Sequence, residues 1–228
     1  MSRTVQLILI ICILILGGCQ VEEKEEKVLP KDMDPTDLPE GRAFEDEFTR
    51  SFLQSTEEVM PGYYPFLSGN GLFTMAFPKE GIINDRAYAL KEKEAESISV
   101  SKYEEGSDIA ANIQLNYYSF LLSGHSEEIS KGVLQKRLDT KLNFEEIKKE
   151  GQTLYISYFE DEEESDTFEA IYGYAGYLQN NKERGGIFLI YTSYCDRNCE
   201  EEKEADLKQA YDWMQSVTFI QPKHKDGE

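Results

Sequence analysis

Segments in which side chains alternate with a period of two recur through this chain, and they constrain its fold more than any other feature. Phe73, Met75 and Phe77 alternate with Leu72, Thr74 and Ala76 before a Pro78-Lys79-Glu80-Gly81 turn. Ile98 and Val100 stand between Ser97, Ser99 and Ser101, while Ala111, Ile113, Leu115 and Tyr117 oppose Asn112, Gln114, Asn116 and Tyr118. Successive side chains of a strand point to opposite faces, so these runs predict antiparallel sheet with one face wetter than the other. Further strands are expected at residues 88–93, 154–159, 168–178 and 187–194, with a short edge strand at 217–220, joined by polar loops in meander-like order.

In three places the period lengthens to that of a helix. Phe44, Phe48 and Phe52 recur every four residues, one stripe expected to cover a sheet before Pro61-Gly62 ends the segment. Ser126 has the side chain of an N-cap, and Glu127 and Glu128 follow where the helix dipole favours acids. Ile129, Val133, Leu134 and Leu138 would form that helix's apolar stripe. The last helix, expected over residues 200–216, puts Leu207, Ala210, Tyr211 and Met214 on one side. Strands and helices in this order predict a single α+β domain over residues 42–220, with 221–228 as a disordered polar tail.

The amino end sets the location. Residues 5–16 are almost wholly apolar, with Arg3 before them and Gly17-Gly18 after. A membrane-crossing helix needs roughly 20 apolar residues, so the run reads as a secretory signal over residues 1–18 rather than a span. Leu16-Gly17-Gly18-Cys19 resembles the bacterial lipobox. That resemblance implies diacylglycerol on the Cys19 sulfur, cleavage before Cys19, and fatty acylation (such as palmitate) of the new amine. Each buried methylene contributes about 0.8 kcal/mol, so two or three chains on one cysteine make anchoring effectively permanent. Residues 19–41, rich in charge and proline, are expected to form a flexible acidic linker that lifts the domain off the membrane.

Charge excludes one class of partner. The 228 residues carry 44 acidic and 24 basic side chains, a formal charge of -20. Such a surface repels phosphate, so no nucleic-acid partner is expected, and attachment to an anionic bilayer would rest on the lipid of Cys19 alone. Beyond Cys12 and Cys19 one pair of cysteines is left, Cys195 and Cys199. Outside the cytoplasm such a pair is expected as a disulfide. A redox pair is the other reading, against which stands a spacing one residue longer than C-x-x-C.

The segment from Phe73 to Gly81, of form F-x-M-x-F-P-K-E-G, and the terminal Trp213-Met214-Gln215-Ser216-Val217-Thr218-Phe219 together resemble the Mog1/PsbP-like domains. The likeness spans residues 71–219. It implies one antiparallel sheet with helices on both faces, as in the bacterial lipoproteins of the DcrB and LpqN groups. Those are binding or assembly factors without shared catalytic residues, so the resemblance carries no active site onto this chain.

Motifs for catalysis are wanting. His125 lies in an expected loop and His224 in the tail, and no G-x-S-x-G, P-loop, H-E-x-x-H or dinucleotide fingerprint occurs. No cofactor and no metal site is expected, since zinc would need four ligands and the acids at 160–166 lack the spacing of a calcium loop. Tyrosines crowd the later strands, and Tyr172, Tyr174 and Tyr191 are the expected lining of a ligand groove. The expected function is therefore a non-enzymatic binding or assembly module on the extracytoplasmic face of the cell membrane, with a protein or envelope component as ligand. The alternative is an envelope hydrolase acting on wall polymer or glycan through a carboxylate pair.

Overall fold

At Pro78 the chain leaves one sheet for another. The computed structural model describes residues 28–121, 126–161, 167–197 and 199–221. Within them β1 (Tyr63–Leu67), β2 (Phe73–Pro78) and β11 (Thr218–Phe219) form a three-stranded sheet in the order β1-β2-β11. After the turn at Lys79 and Glu80, β3 (Gly81–Ile83) pairs instead with β5 (Ala95–Tyr103). The second sheet continues through β6 (Ile109–Tyr118), β10 (Gly186–Cys195), β9 (Ala170–Asn180), β8 (Gln152–Glu160) and β7 (Glu145–Lys149), with β4 (Ala89–Lys91) also on β5. All of these pairings are antiparallel.

The expectation of a single sheet is thus corrected to two. Proline has no N–H to extend a ladder, and the turn that follows swings β3 away from β2. The small sheet then lies over one face of the large one. Phe73 of β2 and Phe219 of β11 both reach Tyr117 of β6, with ring centres 6.3 and 6.5 Å apart. β2 is consequently buried on both sides, at Phe73, Met75 and Phe77 and also at Ala76.

The phenylalanine stripe does not make one helix. Asp46 accepts from the Thr49 amide at 2.8 Å, so it caps a new turn where the first ends. Two single-turn helices result, α1 (Arg42–Glu45) and α2 (Glu47–Arg50). Phe44 and Phe52 are nonetheless buried, and Phe48 packs on Phe52 and Tyr88. The packed body also begins before residue 42, against the expected linker boundary. Pro30 is buried in a 3-10 turn, Leu38 packs on the core, and the Ala43 amide donates to Lys79 O at 2.9 Å. The signal, Cys19, the linker as far as residue 27 and the tail from residue 222 lie outside the described residues.

Helix α3 (Ser126–Leu138) forms where expected but presents another face. Ile129 is 67% exposed and Val133 is exposed too, whereas Ser130 and Leu134 are buried. The physical reason lies in β8: Tyr155 donates to Glu127 Oε2 at 3.0 Å and holds the Lys131 ammonium 4.1 Å from its ring centre. Polar side chains therefore face the sheet, and small Ser130 allows close approach. On the opposite side of the sheet runs α4 (Cys199–Ser216), which buries Ala210, Trp213 and Met214. Gly176 of β9 makes room for it, since a Cβ there would stand 2.8 Å from Met214 Cε.

Candidate functional site

Strand register brings the three tyrosines read from the sequence together under α4. Tyr172 and Tyr174 project from one face of β9, and Tyr174 pairs across the ladder with Tyr191 of β10. The strands sit unusually close there: a Cβ on Gly173 would lie 1.8 Å from the Tyr191 carbonyl oxygen, so this position requires glycine. Only Tyr174 is partly open, because α4 covers the others and leaves Tyr172 and Tyr191 0% exposed. Two of the three expected groove residues are thus core residues.

What α4 sets among them is a carboxylate. Asp206, buried on its underside, accepts from the Ser193 hydroxyl at 2.5 Å. Burial, and then the charge of Asp206, push the hydroxyls of Tyr63, Tyr172 and Tyr191 well above the ordinary tyrosine range. At one flank of the helix Lys102 closes this cluster, with its ammonium 3.4 Å from the Tyr191 hydroxyl and 3.2 Å from Gln209 Oε1. Nothing in the sequence singled out Asp206, one acid among 44.

Along the other flank lies an open hollow of about 670 Å³, floored by Tyr174 and walled by Leu207 and Tyr211 of α4. Tyr174 meets Tyr158 and Tyr211 edge-on, with ring centres 6.0 and 5.6 Å away. Carboxylates hold the outer rings in place: Tyr211 donates to Glu145 Oε1 at 2.8 Å, and Tyr158 donates to Glu160. Lys203 reaches Glu160 Oε1 at 2.6 Å and stands 5.1 Å from the centre of the Tyr172 ring. The Lys203 ammonium and then the Tyr158 hydroxyl hold the Glu160 carboxyl below its ordinary range. Glu200 and Glu204 complete the rim. The two lysines there are paired, Lys203 with Glu160 and Lys208 with Asp212, and among the described residues neither rim glutamate has an ion-pair partner.

Cys195 and Cys199 are joined by a disulfide, with Cα atoms 5.8 Å apart. They pack with Tyr172, so the bond holds the first residue of α4 against the end of β10. His125 and His224 lie outside the described residues, as does the acidic loop at 162–166. Among the described residues no group of three or more His, Cys, Asp or Glu side chains is arranged to hold a metal ion, and no helix is long and apolar enough to cross a membrane.

A pair of antiparallel sheets with a helix laid across the tyrosine face is a Mog1-like domain, and the chain belongs to the lipoprotein family whose model, described as "Putative lipoprotein YvcA", matches residues 39–218. The match starts well before the residues 71–219 that carried the resemblance, and so takes in α1, α2 and β1. The particular relative is the "Putative lipoprotein YvcA" of Bacillus subtilis (strain 168), 28% identical over 237 residues that cover 93% of this chain and 96% of that protein.

Proposed function

We propose that this protein is a lipid-anchored, extracytoplasmic binding module without catalytic activity of its own, which captures a basic segment of an envelope protein in the tyrosine hollow beside α4. The leash would be the acylated Cys19 and the residues up to 27. Membership of a lipoprotein family and the sequence Leu16-Gly17-Gly18-Cys19 support the anchor.

The observation that carries the binding role is the hollow itself. Tyr174 and Tyr211 offer ring faces and edges on rigid elements, and rigid aromatic surface costs little entropy to use in binding. Its charge selects the ligand. With both lysines paired, Glu200 and Glu204 leave the rim negative, which suits lysine or arginine side chains stacking on tyrosine rings.

Calorimetry on the full-length protein in detergent micelles tests this. A lysine-rich peptide interspersed with aromatic residues is expected to bind, and the same peptide with glutamate for lysine is not. Tyr211→Ala should weaken binding about tenfold, near the 1.4 kcal/mol expected for one ring contact. Equal binding of both peptides, or of neither, contradicts the proposal.

A further inference from the structure

The large sheet has a second open surface, on the side away from α4. Helix α3 and the residues after it cover β8, β9 and β10 there, through Leu134, Leu142 and Phe144. Among the described residues no helix covers the neighbouring strands β5 and β6, and the middle of their outward face is Ser97, Ser99 and Ser101 facing Asn116, Gln114 and Asn112 across the ladder. None of these six is charged. Edge strand β7 of the same sheet is charged by contrast, with Glu145, Glu146, Lys148 and Lys149 around a single Ile147. In a protein of charge -20 a neutral field of this kind is not the ordinary wet face of a strand.

The field is also ordered. Ser97 donates to Asn116 Oδ1 at 2.9 Å, Gln114 donates to Asn112 Oδ1 at 2.8 Å, Asn112 reaches Ser99 Oγ at 3.4 Å, and Arg137 of α3 donates to Gln114. Each amide group is thereby tied into the network, and each NH2 keeps at least one donor beyond the bonds made within it. Asn116 enters the network through its oxygen alone among the described residues. Toward β10 the field runs into a hollow of about 640 Å³, where Ile171, Ile190 and Phe159 lie beside Thr192 and Tyr194, with Arg137, Asp139, Glu160 and Asp161 also in its lining.

We propose that this surface binds a neutral glycan strand. A sugar ring presents an apolar C–H face and a rim of hydroxyls that both donate and accept. Preset amides on strands about 4.8 Å apart serve the hydroxyls with little side-chain ordering cost, and Ile171, Ile190 and Phe159 receive the C–H face. An anionic polymer meets the repulsion of the whole protein. The two sites lie on opposite sides of the sheet and meet at Glu160, which lines this hollow and pairs with Lys203 at the other.

Calorimetry on the full-length chain in a sugar-free detergent tests it with cellotetraose, chitotetraose and a heparin tetrasaccharide. At least one neutral oligosaccharide is expected to bind saturably and the sulfated one not to. Ser99→Asp and Asn116→Asp, single changes at half-buried positions on two different strands, should each weaken that binding tenfold or more while melting at the same temperature as the parent. Absence of binding by both neutral probes at millimolar concentration, equal binding of the sulfated one, or unchanged affinity in folded variants would overturn the proposal.

Discussion

The Ser193 hydroxyl on β10 donates to Asp206 Oδ2 on α4 across 2.5 Å, and both residues are buried. This contact fixes the helix over the tyrosine face through a buried polar bond. Losing the carboxylate would strand the Ser193 hydroxyl without its acceptor. Asp206→Ala is therefore expected to cost about 1–3 kcal/mol in urea unfolding, and Asp206→Asn, which keeps an acceptor oxygen, less. Equal losses in the two variants would show that packing rather than hydrogen bonding dominates there.

Trp213 is the largest fully buried side chain and lies 5.7 Å, centre to centre, from the Tyr191 ring. Replacing it opens a cavity between the helix and both sheets. Trp213→Ala should destabilise the domain by about 3–5 kcal/mol, read from its denaturant midpoint.

Glu96 is buried and accepts from the Gly69 amide at 2.8 Å, the Asn70 amide at 3.0 Å and the Tyr88 hydroxyl at 3.1 Å. One carboxylate thus ties the loop between β1 and β2 to the edge of the large sheet. Glu96→Ala should lower stability by about 1–3 kcal/mol and raise amide exchange at Gly69 and Asn70 selectively. Protection unchanged at those two amides would refute the tie.

Acid should loosen the hollow. Glu160 has its carboxyl held below the ordinary range, first by Lys203 and then by Tyr158. A group depressed on folding contributes stability that is complete above its unfolded value, about 4.3 for glutamate, and that is lost as pH falls through the folded value. Amide exchange over the first turns of α4 is expected to quicken in that acid range, and Lys203→Ala should move the Glu160 titration upward. A titration unmoved by the substitution would contradict the assigned cause.

Much of the fold was legible because its strongest segments have one wet and one dry side. Strands β5 and β6 fit that condition, as does α4. Strand β7 did not, since at an exposed edge only Ile147 turns inward among four charges. Helix α3 misled for a related reason: its contact with Tyr155 is polar, so the apolar Ile129 and Val133 are not the ones that face the sheet. The site was half legible. Period two puts Tyr172 and Tyr174 on one face, but which of them stays open depends on where α4 crosses, and that is set by Gly176 further along β9 and by Asp206 of the helix itself.

Site-specific photocross-linking in intact cells carrying the full lipid-anchored chain tests the central claim most directly, with the probe at Leu207 in the hollow and, for comparison, at exposed Val59. The account expects one discrete protein adduct from position 207, lost on Tyr211→Ala and absent from position 59. No adduct from position 207, or the same adducts from both, would contradict it.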